Sequence, residues 1–149
     1  MGIRDSASLH MTASPERVFG VVTDPWKLPS WNQAITAVVE APDQLVLGSV
    51  WKIKLHAFGQ SWVSKSQVVT LERASGHFAY RSQSDDGNPS YADWDWLVEA
   101  DGEGSKVTVT VDLNPTTFWR KHLLVKIRRP VLRKEMDDSL EALAAATRS

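Results

Sequence analysis

From Asp93 to Leu113 the sequence alternates almost without a break. Trp94, Trp96 and Val98 stand between Asp93, Asp95 and Glu99, and Val107, Val109, Val111 and Leu113 stand between Lys106, Thr108, Thr110 and Asp112. Successive side chains of a strand point to opposite faces, so each run is a strand with one buried and one wetted face. Asp101-Gly102-Glu103-Gly104 between them reads as a turn. A two- or four-residue loop there pairs even positions with odd ones, placing Trp94, Trp96 and Val98 on the face of Val107, Val109 and Val111. Such a hairpin commits the chain to an antiparallel sheet with an apolar face, and that face needs a second layer to cover it.

The remaining strands follow the same logic. Ala7, Leu9 and Met11 alternate with Ser8, His10 and Thr12. After Gly48, Trp51, Ile53 and Leu55 alternate with Lys52, Lys54 and His56, and a turn at Phe58-Gly59 leads into a strand over roughly 61–72. That turn sets Trp62, Ser64 and Ser66 on the face of Trp51, Ile53 and Leu55. A two-residue turn at Ser75-Gly76 gives Phe78 and Tyr80 the parity of Val69 and Leu71, opposite to Ser64 and Ser66. A bulge near Val68-Val69, or a different loop length, reconciles the two.

Helices occupy the ends of this strand series. Ser14-Pro15-Glu16 is a helix start, with a serine cap, a proline at the first helical position and an acid in the first turn. Asp24-Pro25 ends that helix, because the residue before proline avoids helical geometry. A short turn with Trp26, Leu28 and Trp31 follows, interrupted by Pro29. From 116 to 147 the apolar residues recur at helical spacing, through Leu124, Ile127, Val131, Met136, Leu140 and Leu143, with a kink expected at Pro130. An antiparallel sheet and a lone long helix bury each other's apolar face when the sheet wraps the helix, an α+β helix-grip shape.

Composition narrows the chemistry. The chain has 149 residues and no cysteine, which excludes disulfides, thiolate metal sites and cysteine nucleophiles. We expect one domain over 1–149, soluble and cytoplasmic, since Met-Gly-Ile-Arg-Asp-Ser carries no apolar signal core and no apolar run reaches membrane-spanning length. A net charge of −1 argues against nucleic acid as a partner. The charge is uneven, however. Residues 120–134 hold seven of the 17 Lys and Arg and none of the 18 acids. With Trp119, the segment 119–134 reads as a basic helix face, able at most to make weak contact with a membrane surface.

Ala13-Ser14-Pro15-Glu16-Arg17-Val18-Phe19, Asp24-Pro25 and Leu28-Pro29-Ser30-Trp31-Asn32, with the basic leucine-rich last helix, resemble the START-like or SRPBCC superfamily. The polyketide cyclase/dehydrase branch is the nearest in pattern. The resemblance covers nearly the whole chain. It implies a curved antiparallel sheet around a long C-terminal helix, two short helices after the first strand, and a cavity between sheet and helix. On that basis the cavity is lined by Trp51, Ile53, Leu55, Tyr80, Trp94, Trp96 and Val109, with Ile127 and Val131 from the helix. Ser64, Ser66 and Tyr80 supply its polar groups, suited to a ligand carbonyl or phenol.

No motif assigns a catalytic residue. There is no Gly-x-Ser-x-Gly elbow, and His10, His56, His77 and His122 have no metal-type spacing, so neither metal nor cofactor is expected. Asp93 and Asp95 share a strand face, but the tryptophans claim the buried one, leaving the carboxylates in solvent. The first reading is a protein that binds a small hydrophobic molecule, aromatic, polyketide-like or lipid-like, in an internal cavity between sheet and C-terminal helix. The alternatives are a polyketide cyclase, aromatase or dehydratase without metal or nucleotide, and an interaction module like the superfamily's chaperone activators. Monomer and homodimer are both compatible with the sequence.

Overall fold

The computed structural model describes residues 3–32, 35–57, 60–84, 91–114 and 125–148. Its strands are β1 (Ile3–Met11), β2 (Ile35–Glu40), β3 (Val50–Ala57), β4 (Gln60–Glu72), β5 (His77–Ser84), β6 (Tyr91–Asp101) and β7 (Gly104–Asn114). They form one curled, wholly antiparallel sheet in the order β1-β7-β6-β5-β4-β3-β2. Helices α1 (Pro15–Val22) and α2 (Leu28–Trp31) follow β1, and α3 (Val125–Thr147) closes the chain. No helix among the described residues is long and apolar enough to cross a membrane.

The hairpin registers follow the alternation. Trp94, Trp96 and Val98 stand opposite Val111, Val109 and Val107 across β6 and β7. Trp51, Ile53 and Leu55 stand opposite Ser66, Ser64 and Trp62 across β3 and β4. The turn between β4 and β5 spans Arg73 to Gly76, four residues rather than two, and Val69 is the extra residue of a bulge between Val68 and Thr70. The bulge turns Val69 outward, 55% exposed, and brings Ser64 and Ser66 onto the face of Tyr80. Gly76 has φ +69° and carries the turn against β6, accepting from the Val98 amide at 2.8 Å. A Cβ there would collide with the Val98 carbonyl oxygen, so only glycine fits.

Helix α1 starts as its sequence dictates. The Ser14 side chain accepts from the Arg17 amide at 3.3 Å, Pro15 follows the cap, and Val18, Phe19 and Val22 face the core. Asp24 caps the next turn, accepting from the Trp26 amide at 3.1 Å. Pro29 does not interrupt this region as expected. It lies in the first turn of α2, where a missing amide hydrogen costs no helical bond.

Helix α3 runs without a break through Pro130 and lies along β1 and against α1 and α2. Met136, Leu140, Leu143 and Ala144 carry its buried stripe. Each of the larger three stabilises the fold by about 1.5–3 kcal/mol relative to exposure. The inner end of the sheet beneath them is closed, with Val107, Val109 and Val111 all 0% exposed. Asp5 of β1, in register with Val111, pairs with Arg133 of α3 at 3.1 Å and ties the sheet edge to the helix. Lys134 pairs with Asp138 at 2.7 Å, which favours its charged form. Two cations of the basic segment are therefore matched by acids. Residues 115–124, with Trp119 and His122, lie outside the described residues.

Candidate functional site

The site is built on the inner sheet face. Two rows of register partners cross it. One runs Val68, Tyr80, Trp94, Val111, and the next runs Trp51, Ser66, Ser82, Ala92, Leu113. The first row is bulky at its centre, the second small. Ser66, Ser82 and Ala92 are small where the neighbouring row is bulky, and they lie beside an aromatic wall.

The wall is continuous. Trp51 meets Tyr80 edge-on at 4.9 Å between ring centroids and lies near-parallel to Phe78 at 6.2 Å. Phe78 and Tyr80 are 5.3 Å apart, and Tyr80 stacks on Trp94 at 6.5 Å. Deeper in, Trp96 packs edge-on against Trp31 of α2 at 5.3 Å. These are favourable aromatic geometries, each contributing about 0.5–1.5 kcal/mol beyond area burial.

Coverage of the face is uneven. Trp51, Ile53, Ser64, Ser66, Trp96 and Val109 are all buried. Leu55, Trp62, Tyr80, Ser82, Ala92 and Trp94 point to the same side but retain accessible surface. They gather toward the end of the sheet that carries the β3–β4 and β5–β6 connections. The side chains of Ile127 and Val131, expected opposite them, lie outside the described residues.

The polar groups divide into satisfied and unsatisfied. Ser64 donates to the Gln83 carbonyl at 3.2 Å, and its oxygen lies 2.6 Å from that of Ser82. Ser82 stands opposite Ser66 in register yet turns to Ser64. Ser66 Oγ is left with no protein partner, as is Trp51 Nε1 in the facing strand and Trp31 Nε1. Burial pushes the Tyr80 phenol up to about 12, with the Trp96 side chain bonding in the opposite sense. It therefore stays protonated, a donor rather than a base, at neutral pH.

The outer face takes the histidines of the described strands and the acids of β6, while Asp5 is on the inner face of β1. Asp93 holds Arg81 at 2.7 Å, favouring the charged guanidinium, and Asp95 holds His77 at 2.7 Å. His10 pairs with Asp101 at 2.8 Å, and His56 with Ser61 at 3.0 Å. Among the described residues no three His, Asp or Glu side chains gather as a metal site. An open cleft of about 460 Å³ lies elsewhere, between α1, Lys27, Ser30 and Ala146, but its rim of Glu16, Arg17 and Lys27 suits no apolar ligand.

Sequence reasoning singled out Ser64, Ser66 and Tyr80 but passed over Ser82, Ala92 and Phe78. Their signal was parity with Tyr80 and Trp94. It also passed over Asp5, the acid on the inner face of β1.

A curled antiparallel sheet holding a C-terminal helix, with short helices after the first strand, places the protein in the helix-grip class. Within it, the chain belongs to the family described as polyketide cyclase/dehydrase and lipid transport, which it matches over residues 3–148. Solved structures agree on the fold. The ZhuI aromatase/cyclase from Streptomyces sp. R1128 superposes with a TM-score of 0.83 at 15% identity, covering 99% of this chain and 94% of that one. A protein from Chromobacterium violaceum gives 0.77 at 20% identity, covering 98% and 97%. Major latex-like protein 151 from Panax ginseng gives 0.77 at 12%, covering 99% and 98%. No curated protein matches the chain in sequence.

Proposed function

We propose that the chain binds a small hydrophobic molecule, aromatic, polyketide-like or lipid-like, between the inner sheet face and α3. The observation that carries this reading is the accessible inward surface of Leu55, Trp62, Tyr80, Ala92 and Trp94. Aromatic and aliphatic groups on the inner side of a sheet stay accessible only where the core leaves a recess, and such recesses with few polar groups are small-molecule sites. The family's description, which names cyclase, dehydrase and lipid transport, fits an apolar site. Among the described strands no histidine faces inward, and the one inward carboxylate, Asp5, is engaged by Arg133. That supports binding over proton abstraction.

A second reading, a cyclase, aromatase or dehydratase, draws support from Tyr80. Its protonated phenol can donate to a ketone oxygen that gains negative charge as a ring closes.

Native mass spectrometry of protein purified without detergent tests the binding reading, with organic extraction of whatever is released. Tryptophan-fluorescence titrations with polycyclic and fatty ligands accompany it. A stoichiometric complex, or saturable quenching by one ligand class, is expected. A clean apo mass with no response to any ligand overturns the proposal.

A further inference from the structure

Two polar atoms on the inner face do nothing for the fold. Trp51 is 2% exposed and Ser66 is 1% exposed, and the two residues are register partners on β3 and β4. Trp51 Nε1 and Ser66 Oγ have no protein partner. An indole N–H only donates, and a hydroxyl can donate. Buried donors without partners are costly and uncommon, and two of them in one cross-strand pair point to something that accepts from both.

The surroundings say what that is. The pair ends the lateral row whose next members, Ser82, Ala92 and Leu113, are small or partly accessible. The nearby rings of Tyr80 and Trp94 offer flat apolar surface beside it. Both orphaned groups are neutral, and no cation of the described strands faces inward there, so the group they hold is a neutral acceptor rather than an anion.

We propose that Trp51 and Ser66 form an oxygen anchor, donating from Nε1 and Oγ to the carbonyl oxygen of a planar, ring-containing ligand whose apolar body lies along Tyr80 and Trp94. This rests on the binding reading above and adds to it a chemical requirement and a fixed orientation. Ser64 and Ser82 take no part in the anchor, because they are spent on each other and on Gln83.

Fluorene and fluorenone test it, two tricyclic molecules of nearly equal shape that differ by a carbonyl oxygen. Their affinities are measured by calorimetry on wild type, Ser66→Ala and Trp51→Phe. Wild type is expected to bind fluorenone about tenfold tighter than fluorene. Each substitution lowers fluorenone affinity roughly three- to tenfold, the worth of one hydrogen bond, and leaves fluorene within about twofold. Equal wild-type affinities, or a fluorenone preference that survives both substitutions, overturn the anchor while leaving hydrophobic binding standing. Failure of wild type to bind either molecule overturns the anchor, whereas the binding reading falls only if the wider ligand panel and native mass spectrometry are also negative. Ser66→Ala removes a single buried oxygen, so the test holds even if Trp51→Phe does not fold.

Discussion

Ser64 and Ser66 lie two residues apart on one strand face, both buried, and the same substitution is expected to shift stability in opposite directions. Ser66 Oγ is buried without a protein partner. Replacing it with alanine removes an uncompensated desolvation of about 1–3 kcal/mol. The missing oxygen leaves a void of roughly 20 Å³, which costs about 0.5 kcal/mol at ~24 cal/mol per Å³. Ser66→Ala should therefore gain roughly 0.5–2.5 kcal/mol, or about 2–7 °C in Tm at roughly 3 °C per kcal/mol. Ser64 donates to the Gln83 carbonyl and accepts from Ser82. Ser64→Ala strands both partners and should lose about 1–3 kcal/mol, with Tm falling by about 3–9 °C. The assay is thermal denaturation by circular dichroism on ligand-free protein, with urea unfolding to check that the m-value is unchanged. A Tm for Ser66→Ala as low as that for Ser64→Ala would refute the reasoning, because it would mean that a trapped water already satisfies the Ser66 hydroxyl. The predicted gain also explains the logic of the site. A group that destabilises the empty protein and serves the bound one is the usual sign of function held against stability.

The Tyr80 phenol, raised to about 12 by burial, is neutral in the folded state between pH 10 and pH 12 while an unfolded tyrosine ionises. The folded state then holds more protons, so stability is full below pH 10 and falls by up to about 3 kcal/mol by pH 12. Urea unfolding across that range should show the loss, and Tyr80→Phe should abolish it; an identical slope in the variant counts against a buried phenol. Gly76→Ala forces a left-handed residue and drives a Cβ into the Val98 carbonyl, and should cost at least about 2 kcal/mol in chemical denaturation. Gly48→Ala, with φ +86° but open space around it, should cost only about 1 kcal/mol; equal losses would show that contact at Gly76 adds nothing. Leu140→Ala, at 1% exposure on α3, should cost about 2–5 kcal/mol in the same assay, and a loss under about 1 kcal/mol would mean that α3 does not seal the core as described.

Much of this architecture was legible because strand parity is a local property. Trp94, Trp96 and Val109 could be placed on one face from alternation and a turn, since a backbone with a two-residue period leaves no other choice. The bulge was legible as a conflict: the serines and Tyr80 could share a face if β4 carried an extra residue or the turn had another length, and the structure takes the first course, with Val69 as the extra residue. The cap at Ser14 and the start of α1 were equally local. Pro29 was misjudged because proline is disruptive inside a helix but neutral in its first turn, and only the true helix boundary separates the two cases.

By itself, then, the sequence determined the sheet, its faces, the helix that covers it and the inward set from which a site can be drawn. These depend on periodicities that each segment carries in its own residues. Only the tertiary structure decided that Ser82 turns to Ser64 and leaves Ser66 unpaired, that Asp5 reaches Arg133, and that Trp94 is accessible while Trp96 is sealed. Those outcomes depend on diagonal distances between strands and on where α1, α2 and α3 come to rest over a curled face. No single segment encodes such distances, because they arise from packing elements far apart in the chain.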